Sequence, residues 1–208
     1  MLPRMSWKIF VLVVSVLSIA LKTAASADIK EYGPFIHVSS TPDVLMLSGE
    51  IDERSALNFR RALAAHPDIK IVSLNSEGGY VQLALLIADD VYQAGISTVI
   101  PSESICYSAC AFIFFAGKNR QANGRLGVHQ IADADGQADS NDIQVNLSDV
   151  VEALNKYGVD PEVLEYMLRT SAGEMYIFSQ QEIARLGLNR ASQIALRPTE
   201  NAGAIIHH

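Results

Sequence analysis

Basic side chains are scarce: 16 Lys and Arg stand against 23 Asp and Glu, a formal net charge of −7. They form no cluster, which excludes nucleic acid as the main partner. Cysteine is nearly absent. The two that exist, Cys106 and Cys110, sit in a single C-x3-C spacing without a neighbouring histidine, too few ligands for a metal centre. No apolar run reaches the roughly 20 residues that a bilayer span needs. The fingerprint G-x-G-x-x-G is missing, and no G-K-[ST] follows the one Gly-Gly pair, so neither a dinucleotide site nor a P-loop is present. No cofactor is expected. Repeats, heptads and low-complexity tracts are lacking as well.

What is there suits one globular domain: 208 residues, 49% hydrophobic and 19% charged. Residues 1–27 differ from the rest. Arg4, Lys8 and Lys22 are their only charges, Ile9 to Leu21 is a run of 13 mostly apolar residues, and Ala25-Ser26-Ala27 is an A-x-A pattern. This is the design of a secretory signal peptide. It predicts a periplasmic or secreted protein that begins at Asp28, with an uncleaved anchor as the other reading. Without the first 27 residues, 13 basic residues face 23 acidic ones, a net charge of −10.

From Asp28 onward, strand and helix patterns alternate. Phe35–Val38, Val44–Ile51, Ile69–Asn75, Ser97–Ile100, Arg125–Gln130 and Tyr176–Phe178 read as strands. Asp52–Ala65, Tyr80–Ala94, the apolar stretch after Ser108 as far as Gly117, Val145–Tyr157 and Glu162–Arg169 read as helices. Asp160 and Pro161 start the last of these. Ser179-Gln180-Gln181-Glu182 is a capping box that opens a further helix ending at Leu186-Gly187-Leu188. Ala132–Asp142, acidic and small, reads as an exposed loop. The rhythm predicts an α/β fold with a parallel sheet made of βαβ-type units. Residues 28–188 form the domain and 189–208 a loosely ordered tail.

Three features carry chemical potential. Gly78-Gly79 lies between a strand and a helix. Paired glycines there permit positive φ and let amides face a ligand, or simply make a tight turn. Ser108 begins an apolar helix, where a hydroxyl either caps the helix or acts as a nucleophile backed by the helix N-terminus. His129 ends a strand, as a structural histidine or as a base at the edge where open α/β sheets bind ligands. His37, His66, His207 and His208 lie in less informative places. Cys106 and Cys110, four residues apart, are within reach of a disulfide in an oxidising compartment; the alternative is two buried small hydrophobes.

Taken together, Asn75-Ser76-Glu77-Gly78-Gly79, Ser108-Ala109-Cys110-Ala111-Phe112-Ile113-Phe114-Phe115-Ala116-Gly117, Val128-His129-Gln130 and Phe178–Leu188 resemble the ordered motifs of ClpP-type serine peptidases of the crotonase-like superfamily. The resemblance spans Leu45 to Leu188. It implies a ClpP/crotonase-like fold of repeated ββα/βαβ units, with a mainly parallel sheet flanked by helices. It also implies Ser108 as nucleophile, His129 as general base, and an oxyanion hole from the Gly78/Gly79 backbone and the Ala109 amide. A peptide or protein substrate follows, and so does a possible homo-oligomer with its interface in Val145–Arg169.

The chain departs from that pattern in two places and in its destination. Glu77 replaces a proline beside the oxyanion hole, where a carboxylate opposes oxyanion formation unless it points to solvent. The stretch Arg169–Met175, where the family carries its third catalytic residue, has no Asp. Thr170 or Ser171 falls nearest that place, and Glu174 reaches it only if the loop shifts. A hydroxyl orients an imidazole but stabilises imidazolium less than a carboxylate does, so weaker catalysis is expected. Export would separate the chain from any cytoplasmic ATPase, so no ATPase partner is expected. The leading expectation is an ATP-independent serine peptidase. The rival is a catalytically impaired binding or scaffolding protein. Acyl-CoA chemistry is disfavoured outside the cytoplasm and without a basic phosphate-binding cluster.

Overall fold

The computed structural model describes residues 27–131 and 140–191. Residues 1–26 of the expected signal peptide, most of the expected 132–142 loop and residues 192–208 of the expected tail lie outside the described residues. Among the described residues, no helix is long and apolar enough to cross a membrane.

The architecture is mixed α/β. Strands β1 (Ile29–Tyr32), β2 (Phe35–Val38), β3 (Val44–Ser48), β4 (Ile71–Asn75), β5 (Ser97–Ile100) and β7 (Arg120–Ala122) form one sheet in that spatial order. The β1–β2 and β2–β3 pairings are antiparallel, and those of β3–β4, β4–β5 and β5–β7 are parallel. A smaller sheet holds β6 (Ile105–Tyr107), β8 (Arg125–Val128) and β9 (Tyr176–Ile177). β6 and β8 are parallel, while β9 runs antiparallel to β8.

Burial follows the two periods that the sequence displays. In β3 and β4 alternate residues go inward: Leu45 and Leu47, then Val72 and Leu74. Helix α1 (Ser55–Ala65) buries Ala56, Phe59 and Ala62, and α2 (Val81–Gln93) buries Ala84, Ile87, Ala88 and Val91, a stripe at helical spacing. Helix α3 (Ala109–Ala116) is apolar on every side and is buried at all eight positions. A helix without a polar face has to sit in the interior, and α3 packs closely against α2. The remaining helices are α4 (Ser140–Lys156), α5 (Glu162–Arg169) and α6 (Gln180–Arg185). The capping box of α6 is formed in both directions between Ser179 and Glu182.

Several boundaries differ from the sequence reading. Helix α4 begins at Ser140, within the stretch expected as a loop and ahead of the expected start at Val145. Strand β1 precedes the first strand expected, and β6 lies ahead of Ser108, where no strand was expected. Asn189 and Arg190 are fastened to the body. The Ala122 amide donates to Asn189 Oδ1, and Arg120 and Arg190 exchange backbone hydrogen bonds. The Arg190 guanidinium donates to the Tyr157 and Gly117 carbonyls.

One junction positions the site. Beyond β4, Ser76 leaves the large sheet and pairs with Cys106 of the small one: the Ser76 amide donates to the Ile105 carbonyl and the Tyr107 amide to the Ser76 carbonyl. This stitch carries the Gly78-Gly79 turn to the end of β6, where Ser108 begins α3.

Candidate functional site

Ser108 sits between β6 and α3 with φ 53° and ψ −126°, the one described non-glycine residue with positive φ. A side chain there costs about 1–3 kcal/mol and persists only where the surroundings impose it. Two restraints do so. The Ser108 amide donates to the Gly127 carbonyl of β8, and a Cys106–Cys110 disulfide brackets the residue, with Cα atoms 5.2 Å apart. Of the two readings of the cysteine pair, the disulfide is the one present.

The Ser108 hydroxyl makes no cap bond to its helix. It lies 2.7 Å from His129 Nε2 instead. The cap reading of Ser108 is therefore overturned, because the unusual backbone aims Oγ away from the α3 amides and at the imidazole. When Nε2 accepts from the serine, the proton of the neutral ring sits on Nδ1. Burial pushes the His129 pKa below its ordinary value; the Ala172 backbone opposes this but does not outweigh it. The ring is thus biased towards the neutral form that can accept a proton.

Nδ1 is buried and makes no well-formed hydrogen bond. Neither hydroxyl expected to hold it does so. Thr170 Oγ1 donates to the Tyr166 carbonyl (2.7 Å), capping the end of α5, and Ser171 donates to Glu174 Oε2 (3.1 Å). Both are satisfied locally, which is the usual habit of short polar side chains at a helix end. The assignment of Thr170 and Ser171 to the third position is corrected on that ground. The Glu174 carboxylate is exposed and engaged with Ser171. What the 168–172 segment does supply is backbone. Gln130 N–H donates to the Thr170 carbonyl and Gln130 Nε2 to the Leu168 carbonyl, so the residue after His129 is tied to the end of α5.

Gly78 and Gly79 have φ of 108° and 140°. A Cβ on Gly78 would stand 2.8 Å from the Tyr107 carbonyl oxygen and 2.9 Å from Ser108 Cβ; one on Gly79 would meet the Ile51 carbonyl oxygen at 2.2 Å. Both glycines are needed for close approach as well as for conformation. The Gly78 amide donates to Ser76 Oγ (3.1 Å). The Gly79 amide, next in the chain, and the Ala109 amide in the first turn of α3 enter none of the described hydrogen bonds. The first amides of a helix have no intrahelical acceptor and attract negative charge. Glu77 is exposed, so its carboxylate is hydrated.

A cavity of about 50 Å³ opens beside the pair. Ser108 and His129 line it together with Gly79, Val81, Phe112 and Met167. Val81, Phe112 and Met167 come from α2, α3 and α5, and periodicity marks them only as core-facing residues. A second, larger cleft of about 690 Å³ shares Gly79 with the first. No group of three or more His, Cys, Asp and Glu side chains able to hold a metal exists among the described residues.

No family model matches this chain. No curated protein matches it either. Solved structures do. An asparagine-to-aspartate variant of ClpP1 from Listeria monocytogenes is 20% identical with a TM-score of 0.55, over 71% of this chain and 89% of that one. ClpP1 from Listeria monocytogenes itself is 20% identical with a TM-score of 0.53 over the same shares. A serine-to-alanine variant of the 1510-N membrane-bound stomatin-specific protease is 13% identical with a TM-score of 0.52, over 69% of this chain and 75% of that one. The chain therefore has a ClpP-like fold.

Proposed function

We propose that this protein is an exported, ATP-independent serine hydrolase acting on peptide bonds through a Ser108–His129 pair. The observation that carries the reading is the 2.7 Å bond between Ser108 Oγ and His129 Nε2, made from a backbone conformation that a helix cap does not require. In the reaction, Ser108 Oγ attacks the scissile carbonyl carbon while its proton passes to His129 Nε2. The Gly79 and Ala109 amides receive the oxyanion. The same proton then goes to the leaving amine as the C–N bond breaks. Water, deprotonated by His129, attacks the acyl-serine ester, and the acid product leaves with Ser108 restored.

A fluorophosphonate probe tests this reading directly. Residues 28–208 should label at Ser108 between about pH 6 and 9, the range in which an imidazole base loses its proton. The Ser108→Ala variant should not. No Ser108-dependent labelling anywhere in that range refutes the proposal.

A second reading is favoured by one observation. His129 Nδ1 has no carboxylate partner, so an imidazolium formed in the reaction would lack its usual counter-charge. In that case the protein binds peptides without cleaving them. Labelling separates the two readings. Export rests on residues 1–27, and terminal sequencing of periplasmic or secreted material should begin at Asp28. Self-association remains part of the proposal, carried by exposed Val145 and Leu168 in the expected interface region. Light scattering on the purified protein measures it.

A further inference from the structure

The larger cleft begins where the catalytic cavity ends, because Gly79 lines both. A polypeptide with its scissile carbonyl at Ser108 and Gly79 must continue past Gly79, and the cleft of about 690 Å³ is the space it enters. The charged side chains of that space are Glu50 and Glu77, and its lining contains no Lys or Arg. Both carboxylates are exposed, and neither has an ion-pair partner among the described residues. Arg125 is the cation on the neighbouring strand, paired in register with Ile105. Its guanidinium lies over the Tyr107 ring, 5.8 Å from the centroid, and does not line the cleft.

We propose that Glu50 and Glu77 make this cleft a specificity site for lysine or arginine side chains of a peptide that passes Ser108. The inference rests on the hydrolase reading for the direction in which the peptide runs. Two carboxylates fall well short of the six to eight oxygens that a calcium ion collects. A single ammonium or guanidinium needs only one or two acceptors. Exposed pairs of this kind contribute little affinity each and mainly set selectivity and association rate.

The test is binding without turnover. Fluorescence anisotropy of the Ser108→Ala protein is measured with three labelled octapeptides in which alanine alternates with lysine, glutamine or glutamate. The lysine peptide should bind about threefold to tenfold more tightly than the glutamine peptide, and the glutamate peptide most weakly. Because the chain as a whole is acidic, the decisive comparison is the Glu50→Gln/Glu77→Gln double variant in the same background. It should lose the lysine preference, as should the parent protein in about 0.5 M salt, where exposed charges are screened. Equal binding of the lysine and glutamine peptides overturns the proposal, and so does a lysine preference that survives the double substitution. Fluorophosphonate labelling of the wild-type protein judges the hydrolase reading separately. A protein that binds lysine peptides but never labels keeps the cleft assignment and loses the catalytic one.

Discussion

At the scale of single residues, Ser108 concentrates the cost of the site. Its φ of 53° is imposed, and glycine would relieve it. Ser108→Gly and Ser108→Ala both delete the bond to His129, so they differ mainly in backbone strain. The glycine variant should be about 1 kcal/mol more stable than the alanine variant in urea denaturation, after the extra chain entropy of glycine is set against the relief. His129 supplies a pH prediction. Its pKa is lowered by burial, and the base must be neutral to act. Labelling of Ser108 should therefore fall only below the ordinary imidazole value of 6.5, and be flat above it. A midpoint at or above that value contradicts the burial argument. Thr170→Ala and Ser171→Ala should each leave the labelling rate within about twofold, because their hydroxyls are committed to Tyr166 and Glu174. Ser108 and His129 were legible because Gly78-Gly79, the serine and the histidine follow one another in the order of the ClpP-type motifs; taken alone, a serine at a helix start reads as a cap. The third position was not, since which hydroxyl faces a ring depends on local bonding that spacing does not encode.

At the scale of elements, the Gly78-Gly79 turn and the Cys106–Cys110 clamp hold β6 and α3 in the geometry that the serine needs. A methyl group at Gly79 would overlap the Ile51 carbonyl oxygen, a backbone atom with no flexible route of escape. Gly79→Ala should cost more than about 2 kcal/mol, read as a lower urea midpoint. The disulfide closes a very short loop, and restraint of the unfolded chain accounts for about 2 kcal/mol. A Cys106→Ala/Cys110→Ala variant should lose about that much, and its labelling rate should fall because the bracket around Ser108 is gone. The C-x3-C spacing made this pairing readable from sequence. Strands β6 and β7 were harder, because three residues are too few to display a period of two. β6 exists because Ser76 and β8 offer it partners from either side, and that information is tertiary.

At the scale of the whole molecule, alternating strand and helix patterns revealed the α/β class, since the period changes from two to 3.6 are long and regular in β3–α2. The extent of the body was less visible. Nothing in Asn189-Arg190 looks structural, yet Arg190 bonds the carbonyls of Gly117, just past α3, and Tyr157, just past α4, and its backbone adds to the edge of β7 through Arg120. Arg120 itself is 3% exposed and donates to the Phe115 and Gly187 carbonyls, its pKa pushed down to about 10 chiefly by burial. Two arginines thus satisfy carbonyls at the C-terminal ends of three helices, where a positive charge also complements the dipole. Ending the chain after Leu188 would delete the Asn189 acceptor, both backbone bonds to Arg120 and both guanidinium bonds. At about 0.5–1.5 kcal/mol net for each hydrogen bond, and with water replacing some of them, the loss should be about 3 kcal/mol. For a body of this size that lowers the melting temperature by about 10 °C. A chain ending after Ala191 keeps every one of these bonds, so it should melt above the chain that ends after Leu188 in calorimetry. Equal melting of the two truncations would show that the α3, α4 and α6 ends are held without Arg190.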